Sequence, residues 1–217
     1  MPDLIILSPD GAYEQVLPAL LKRHQSLGIR AITFDVKNDP YHDASGQTVE
    51  LLRPYLTSHG KALVVRDIEG SGKEAGGAAA LEAELMESLV QNGWQAENSA
   101  ALVLEPEIES WLRLGSTHMD ALIKRLARRE KDKTDDWRNV AESLAQAHGG
   151  WLQAGKPARP KEVYQGVLRQ YGISPSNAWL GELASKESLM GCAVPTFNRF
   201  RELVRNWFPL NKQHGSH

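Results

Sequence analysis

Acidic residues follow three short aliphatic runs of this sequence, at places where strands of a parallel sheet would end. The runs are Leu4–Leu7, Ala62–Val65 and Ala101–Leu104, and the acids that follow them are Asp10, Asp67, Glu69, Glu107 and Glu109. In open α/β sheets, ligands bind outside the carboxyl ends of the strands, so we expect these carboxylates to converge if the three strands are neighbours. Mg²⁺ prefers oxygen ligands and commonly binds through one or two carboxylates together with phosphates and water. The pattern therefore predicts a site for Mg²⁺ or Mn²⁺ at this edge.

Asp67 has the strongest support among these acids. It comes directly after an aliphatic run and shortly before Gly70-Ser71-Gly72, where the backbone turns tightly or approaches a ligand. Alternate residues of an extended segment project to the same side, so Asp67 and Glu69 can reach one metal ion. Pro106 favours an extended residue before it and can begin a helix, which places Glu107 in a first helical turn.

Each of the other acids also has a structural interpretation that the sequence leaves open. Asp10 precedes a glycine and could serve only as the N-cap of a helix, since Asp is a preferred capping residue. Glu107 could simply favour the positive end of a helix dipole. Glu14 and Glu109, taken alone, are typical of solvated surface positions.

The order of apolar patterns predicts an α/β domain over residues 1–114, with a mostly parallel sheet and flanking helices. The aliphatic runs and the alternating segment 32–36 give four strands, and amphipathic segments lie between them. This alternation is typical of βαβ units. After residue 114 the strand-like runs disappear, and Pro160 and Pro195 can each open an amphipathic helix. Residues 115–217 are therefore predicted to form a helical region that packs on the first.

The net charge of −2 hides an asymmetry between the two halves of the chain. Residues 1–114 carry 9 basic and 17 acidic residues, whereas residues 115–217 carry 16 basic and 10 acidic residues. A basic surface binds phosphates and an acidic cluster binds cations, so a protein with both is expected to handle a polyanion. The alternative is an uneven but solvated surface, and the dense charge run at residues 124–136 is also typical of a solvated helix face.

Composition excludes several classes of protein. Cys192 is the only cysteine, so a disulfide-stapled secreted scaffold is excluded and a reducing compartment is favoured. No apolar run approaches the ~20 residues of a membrane span, and the first residues lack the pattern of a signal peptide. We therefore expect a cytoplasmic protein with no membrane partner.

Several segments together resemble known families. The acid after the first strand, the pair Asp67-Ile68-Glu69 and the acids after the fourth strand resemble a Toprim-type domain, the α/β fold of topoisomerases, primases and overcoming-lysogenization-defect nucleases. The pair is Asp-x-Glu here, where Toprim enzymes usually carry Asp-x-Asp. A family of small proteins encoded in bacterial methylation-associated antiphage defence systems is more closely similar. The segments that carry this second resemblance are LIILSPDGAYE (4–14), ALVVRDIEG (62–70), LEPEIESW (104–111), PARPKE (157–162) and RNWFP (205–209).

The resemblance implies metal-assisted phosphodiester cleavage by a component of an antiphage defence system. The metal ligands that it implies are Asp67, Glu69 and Glu107, with Glu109 or Asp10 completing the shell or acting as the base. It also implies that Lys161, at the start of a helix, grips a phosphate or stabilises negative charge, with an ordinary exposed lysine as the alternative. The implied partners are nucleic acid, bound by the basic half, and other proteins of the system. A non-catalytic subunit that docks such proteins is the alternative function.

Overall fold

The computed structural model describes residues 1–40, 47–113, 116–127, 136–152, 155–189 and 192–210 of the chain. Within these residues the sheet has four parallel strands: β1 (Leu4–Ser8), β2 (Phe34–Asn38), β3 (Lys61–Asp67) and β4 (Ser99–Leu104). Their order is β2-β1-β3-β4, and the prediction of an α/β fold with a parallel sheet is confirmed. Because β3 lies between β1 and β4, the loops that follow these three strands lie side by side.

Nine α-helices lie within the described residues. They are α1 (Gly11–Leu21), α2 (His24–Leu27), α3 (Gln47–Glu50), α4 (Gly77–Gln91), α5 (Thr117–Leu126), α6 (Trp137–Ala147), α7 (Pro160–Gln170), α8 (Asn177–Lys186) and α9 (Pro195–Trp207). Short 3-10 helices occur at Arg53–Tyr55, Glu74–Gly76, Ala96–Asn98 and Ile108–Trp111. Pro160 and Pro195 open α7 and α9 as predicted, because proline has no N–H group to leave unsatisfied in a first turn.

The sheet buries apolar side chains on both faces, as the alternation of its strands requires. Leu4, Ile6 and Val65 lie on one face, in a core with buried residues of α1 and of α5 to α9. Ile5 and Leu7 lie on the other face and pack against α4. The helices that follow the sheet therefore share a core with it. The boundary predicted at residue 114 lies outside the described residues.

A glycine allows α8 to pack closely on α1, the helix that begins beside the carboxyl edge of the sheet. A Cβ atom placed on Gly181 would lie 3.1 Å from the Cβ of Gln15 and 3.1 Å from its backbone oxygen. Both separations are tighter than ordinary van der Waals contact, and a backbone atom cannot turn aside as a flexible side chain can. The contact fixes the position of α1 against the helical region.

We expect Gly181→Val to lower the free energy of unfolding by about 2 kcal/mol, because overpacking at a close contact costs roughly 1–3 kcal/mol. Chemical denaturation followed by circular dichroism measures the change. Ser185→Val, at an exposed position of the same helix, controls for the low helix propensity of valine and should cost less than about 1 kcal/mol. Equal losses in the two variants would contradict the importance of this contact.

Candidate functional site

Four of the predicted acids and one lysine meet at the carboxyl edge of the sheet. We call Asp10, Asp67, Glu107 and Glu109 the acid cluster. Asp10 follows β1, Asp67 is the last residue of β3, and the two glutamates follow β4. Lys161, in the first turn of α7, lies close enough to the cluster for all four carboxylates to act on its charge. The structure thus brings together side chains that are up to 151 positions apart in the chain, between residues 10 and 161.

Asp10 caps the first turn of α1. Its Oδ1 atom accepts a hydrogen bond from the backbone N–H of Ala12 at 2.7 Å, so the interpretation of Asp10 as an N-cap is confirmed. The cap also keeps the carboxylate beside the rest of the cluster, where its negative charge acts on Asp67 and Glu109. One residue therefore both begins the helix and contributes charge to the site.

Asp67 is held by the helix that Asp10 begins. The buried hydroxyl of Tyr13 donates a hydrogen bond to Oδ1 of Asp67. Burial raises the pKa of the Asp67 carboxyl to about 7; the bond from Tyr13 opposes this rise, and the charges of Asp10 and Glu107 add to it. Burial and the charge of Asp67 raise the pKa of Tyr13 well above its ordinary value, so the phenol remains a donor at neutral pH.

Glu107 and Glu109 lie at the start of the 3-10 helix that follows β4. The sequence predicted an α-helix with Glu107 in its first turn, but the backbone of Glu107 is extended and the helical turn begins at the next residue. Ile108 and Trp111, three residues apart, lie on one side of a 3-10 turn, and both are buried in the core. Glu109 lies between them and is only 7% exposed. Its interpretation as a solvated surface residue is therefore wrong.

Burial changes the ionisation of both glutamates. It raises the pKa of Glu107 to about 7, and the charges of Glu109 and Glu162 add to this rise. It also raises the pKa of Glu109 to about 7, although a hydrogen bond from the backbone and the charge of Lys161 act against the rise. Together with Asp67, these residues make a cluster whose carboxyl groups are partly protonated at neutral pH.

Lys161 places a positive charge within reach of the whole cluster. Its backbone N–H donates to Oε2 of Glu107 at 3.2 Å, as expected for an anion at a helix N-terminus. Burial lowers the pKa of the Lys161 ammonium, but the carboxylates outweigh this effect and raise the pKa above its ordinary value. The alternative of an ordinary exposed lysine does not describe this partly buried group.

Glu69 is paired with an arginine. Strand β3 ends at Asp67 and the chain then turns, with the backbone N–H of Ser71 donating to the carbonyl of Ile68 at 3.2 Å. The alternation of an extended strand therefore does not continue to Glu69, whose exposed side chain forms an ion pair with Arg159. The sequence analysis had predicted that Asp67 and Glu69 reach one metal ion. That prediction required extended backbone through both residues, and this arrangement does not provide it.

Three residues that the sequence analysis did not single out belong to the site. Besides Tyr13, they include Glu162, whose charge acts on Glu107 and whose buried Oε2 atom has no hydrogen-bond partner within the described residues. Tyr164 has a buried hydroxyl that likewise has no partner there, and it lines, together with Glu109, a small cavity with room for about one water molecule. Their spacing in the sequence could have pointed to them, since each lies within one helical turn of a predicted site residue, Asp10 or Lys161.

The site has the oxygen donors that a divalent cation needs, but the donor side chains are not arranged as a ready-made metal site. Carboxylate oxygens are suitable ligands for Mg²⁺, and the unpartnered buried oxygen of Glu162 adds a further donor. In the part of the chain that the structure describes, no three His, Cys, Asp or Glu side chains are grouped so that they could hold a metal ion. All four carboxylates of the acid cluster act on the charge of Lys161.

The basic residues of the second half are partly neutralised by acids. The ion pairs include Arg125–Glu182, Arg138–Asp120, Arg159–Glu69 and Arg199–Glu82. Each guanidinium is close to half exposed to solvent. Residues 128–135, which carry much of the predicted charge run, lie outside the described residues.

Comparisons of the chain with family models, with curated proteins and with solved structures find no match to it. Within the described ranges, no helix combines the length and the apolar character needed to cross a bilayer. The function of this chain therefore has to be inferred from its site residues.

Proposed function

We propose that this chain is a component of a bacterial antiphage defence system and cleaves phosphodiester bonds of nucleic acid with Mg²⁺ or Mn²⁺. The observation that carries the proposal is the meeting of the acid cluster and Lys161 at the carboxyl edge of a parallel sheet. Four carboxylates outnumber one ammonium, so the site needs bound protons or a bound cation to balance its charge. The resemblance to Toprim-type domains supports the reaction class, and the resemblance of the longer segments supports the defence context.

The residues that would hold the cation are Asp67 and Glu107, with Asp10 beside them, while Glu109 would remain free to act as the base. Such an ion supplies a Lewis acid for the phosphate and lowers the pKa of bound water. Glu162 is a further candidate ligand, because its buried oxygen has no partner within the described residues and lies near Glu107. Glu69 is left out of this set, because it is paired with Arg159 instead.

Two side chains of the site suit the proton and charge changes of hydrolysis. Glu109, which is only 7% exposed and interacts with Lys161, would take a proton from an attacking water molecule as a general base. Lys161 can neutralise the charge that develops on phosphate oxygens, and the N-terminus of α7 adds to this effect. Half-exposed guanidinium groups such as that of Arg159 would bind the nucleic-acid backbone in a salt-sensitive and mostly sequence-independent way.

Cleavage of labelled DNA and RNA by the purified chain, with Mg²⁺, with Mn²⁺ or with EDTA, tests the proposal. We expect cleavage with either cation and none with EDTA. Glu109→Gln should reduce the rate by at least about 100-fold, because general base catalysis contributes typically 10²–10⁴-fold. The control is Glu97→Gln, which removes the same charge from an exposed residue before β4 and should keep wild-type activity.

Cation binding is measured separately, by titration with Mn²⁺ followed by electron paramagnetic resonance. A wild-type chain that binds no divalent cation at millimolar concentration would remove the enzymatic proposal, whichever nucleic acid is offered.

A non-catalytic interaction subunit is the second candidate function, and one observation favours it. No ready-made group of metal ligands is present in the described residues. Several acids also have local partners, since Asp10 caps α1 and Glu69 pairs with Arg159. In this case the acidic and basic surfaces would dock other proteins of the defence system. Assembly with those proteins would then persist in Glu109→Gln, and no cation-dependent cleavage would be found in any variant.

A further inference from the structure

The turn that follows β3 contains backbone N–H groups that already bind an anion. Oε1 of Glu74 accepts hydrogen bonds from the backbone N–H groups of Gly70, at 2.9 Å, and Gly72, at 3.4 Å. Both glycines have left-handed backbone, with φ of 77° and 71°, which turns nearby N–H groups toward one point and makes an anion-binding concavity. The backbone N–H of Glu74 itself and those of the two glycines lower the pKa of the Glu74 carboxyl.

A second carboxylate of the same turn is bound to a guanidinium group. Glu69, which precedes Gly70, forms an ion pair with Arg159. Arg159 in turn lies two positions before Lys161, at the start of α7. Residues 69–74 therefore contact two kinds of group that proteins use to bind phosphate, backbone N–H groups and a guanidinium. Each of them holds a glutamate of the turn itself.

The space around this turn is open. A Cβ atom placed on Gly70 or on Gly72 would meet no atom within 4 Å among the described residues. The side chains of Glu69 and Glu74 are both exposed. Contacts of exposed carboxylates are weakened by water, so an oxyanion with more charge and more oxygens can displace them. Phosphate has both properties, and it matches the paired donors of an arginine.

We propose that residues 69–74 and Arg159 form a phosphate-binding subsite, which Glu69 and Glu74 occupy in the free protein. A phosphate group accepts hydrogen bonds from Gly70, Gly72 and Arg159, and the two glutamates turn outward into solvent. The subsite lies at the same sheet edge as Asp67, so it would hold a phosphate of the substrate other than the one that reacts. That use rests on the proposed function, whereas the binding of phosphate does not.

Titration of the ¹⁵N-labelled chain with inorganic phosphate, at constant ionic strength and without divalent cations, tests the subsite by NMR. We expect Glu74→Ala to bind phosphate at least about fivefold more tightly than the wild type, because the competing carboxylate is gone. The amide signals of Gly70 and Gly72 should shift during the titration. Glu87→Ala removes the same charge from an exposed position of α4 and should leave the affinity unchanged. Arg159→Gln should weaken the binding.

Equal phosphate affinities in Glu74→Ala and Glu87→Ala, both with well-dispersed spectra, would overturn the proposal and leave Glu74 as a stabiliser of the turn. Shifts that bypass the amides of Gly70 and Gly72 would have the same consequence. The titration contains neither divalent cation nor nucleic acid. A chain that cleaves nothing can therefore still show the subsite, and a chain that cleaves nucleic acid can still lack it.

Discussion

Asp67→Asn should raise the melting temperature at about pH 8 by about 5 °C or more, although it removes a charged group from the centre of the site. The carboxyl of Asp67 has a pKa of about 7 in the folded protein, against about 3.9 in an unfolded chain. Above pH 7 the folded protein therefore carries a partly buried negative charge that the unfolded chain solvates freely. Asparagine removes this charge, and its amide oxygen can still accept the hydrogen bond from Tyr13.

The shifted pKa values also determine whether the stability of the wild-type protein rises or falls with pH. Between about pH 4 and 7 the folded state binds more protons at Asp67, Glu107 and Glu109 than the unfolded state does. The free energy of unfolding therefore falls as the pH rises, by about 1.4 kcal/mol per pH unit for each proton that the folded state binds in excess of the unfolded state. Below about pH 4 stability falls again, because Asp3 and Glu182, whose pKa values are lowered to about 2, begin to lose their ion pairs. We expect maximum stability in mildly acidic solution.

Differential scanning calorimetry between about pH 4 and 8 measures the melting temperature of Asp67→Asn and the pH dependence of the wild type. Glu97→Gln, an equal charge change at an exposed site before β4, should follow the wild-type curve. If Asp67→Asn melts below the wild type at pH 8, the carboxylate is stabilising and its raised pKa is wrong. Loss of cation-dependent cleavage in the same variant would show that a residue which costs stability is kept for activity.

Lys161→Met should have the opposite effect on stability. Removal of one partner of a buried charge pair costs about 3–5 kcal/mol, and we expect about 2 kcal/mol here because Lys161 is only partly buried. The loss arises because four carboxylates then face one another without a counter-charge. Acidification protonates them, so the loss at about pH 8 should largely disappear at about pH 5.

Urea denaturation at the two pH values measures this difference. Lys124→Met, which removes the same charge from an exposed position of α5, is the matched control and should show little change at either pH. A loss in Lys161→Met that is equal at both pH values would point to lost packing of the side chain and not to lost charge.

The strands of this fold were predictable because buried parallel strands are short, continuous aliphatic runs. The positions of Asp10 and Asp67 followed from those runs, since a residue directly after a strand has little freedom. The side-chain partner of Glu69 and the backbone conformation of Glu107 were predicted incorrectly, because both depend on where extended backbone ends. The tight turn after Asp67 and the 3-10 helix at Ile108–Trp111 are local responses to packing, which the spacing of apolar residues does not specify.

Tyr13, Glu162 and Tyr164 were missed for a different reason. Each is an ordinary helical residue in the sequence, and its role depends on which element packs against it. The contact between Tyr13 and Asp67 joins residues 54 positions apart, and the proximity of Tyr164 to Glu109 depends on how α7 lies against the loop after β4. Only the tertiary arrangement of α1 and α7 could reveal these contacts.

The core shared by the sheet and the later helices also bears on how the chain folds during synthesis. The acids leave the ribosome well before Lys161, so a nascent chain of about the first 130 residues would hold its carboxylates without the ammonium that faces them later. The part of the sheet face that α6 to α9 help to cover would remain exposed to water at that stage. We therefore expect stable folding only after α7 has been made, and expect a chain truncated before Pro160 to behave as an expanded, protease-sensitive intermediate.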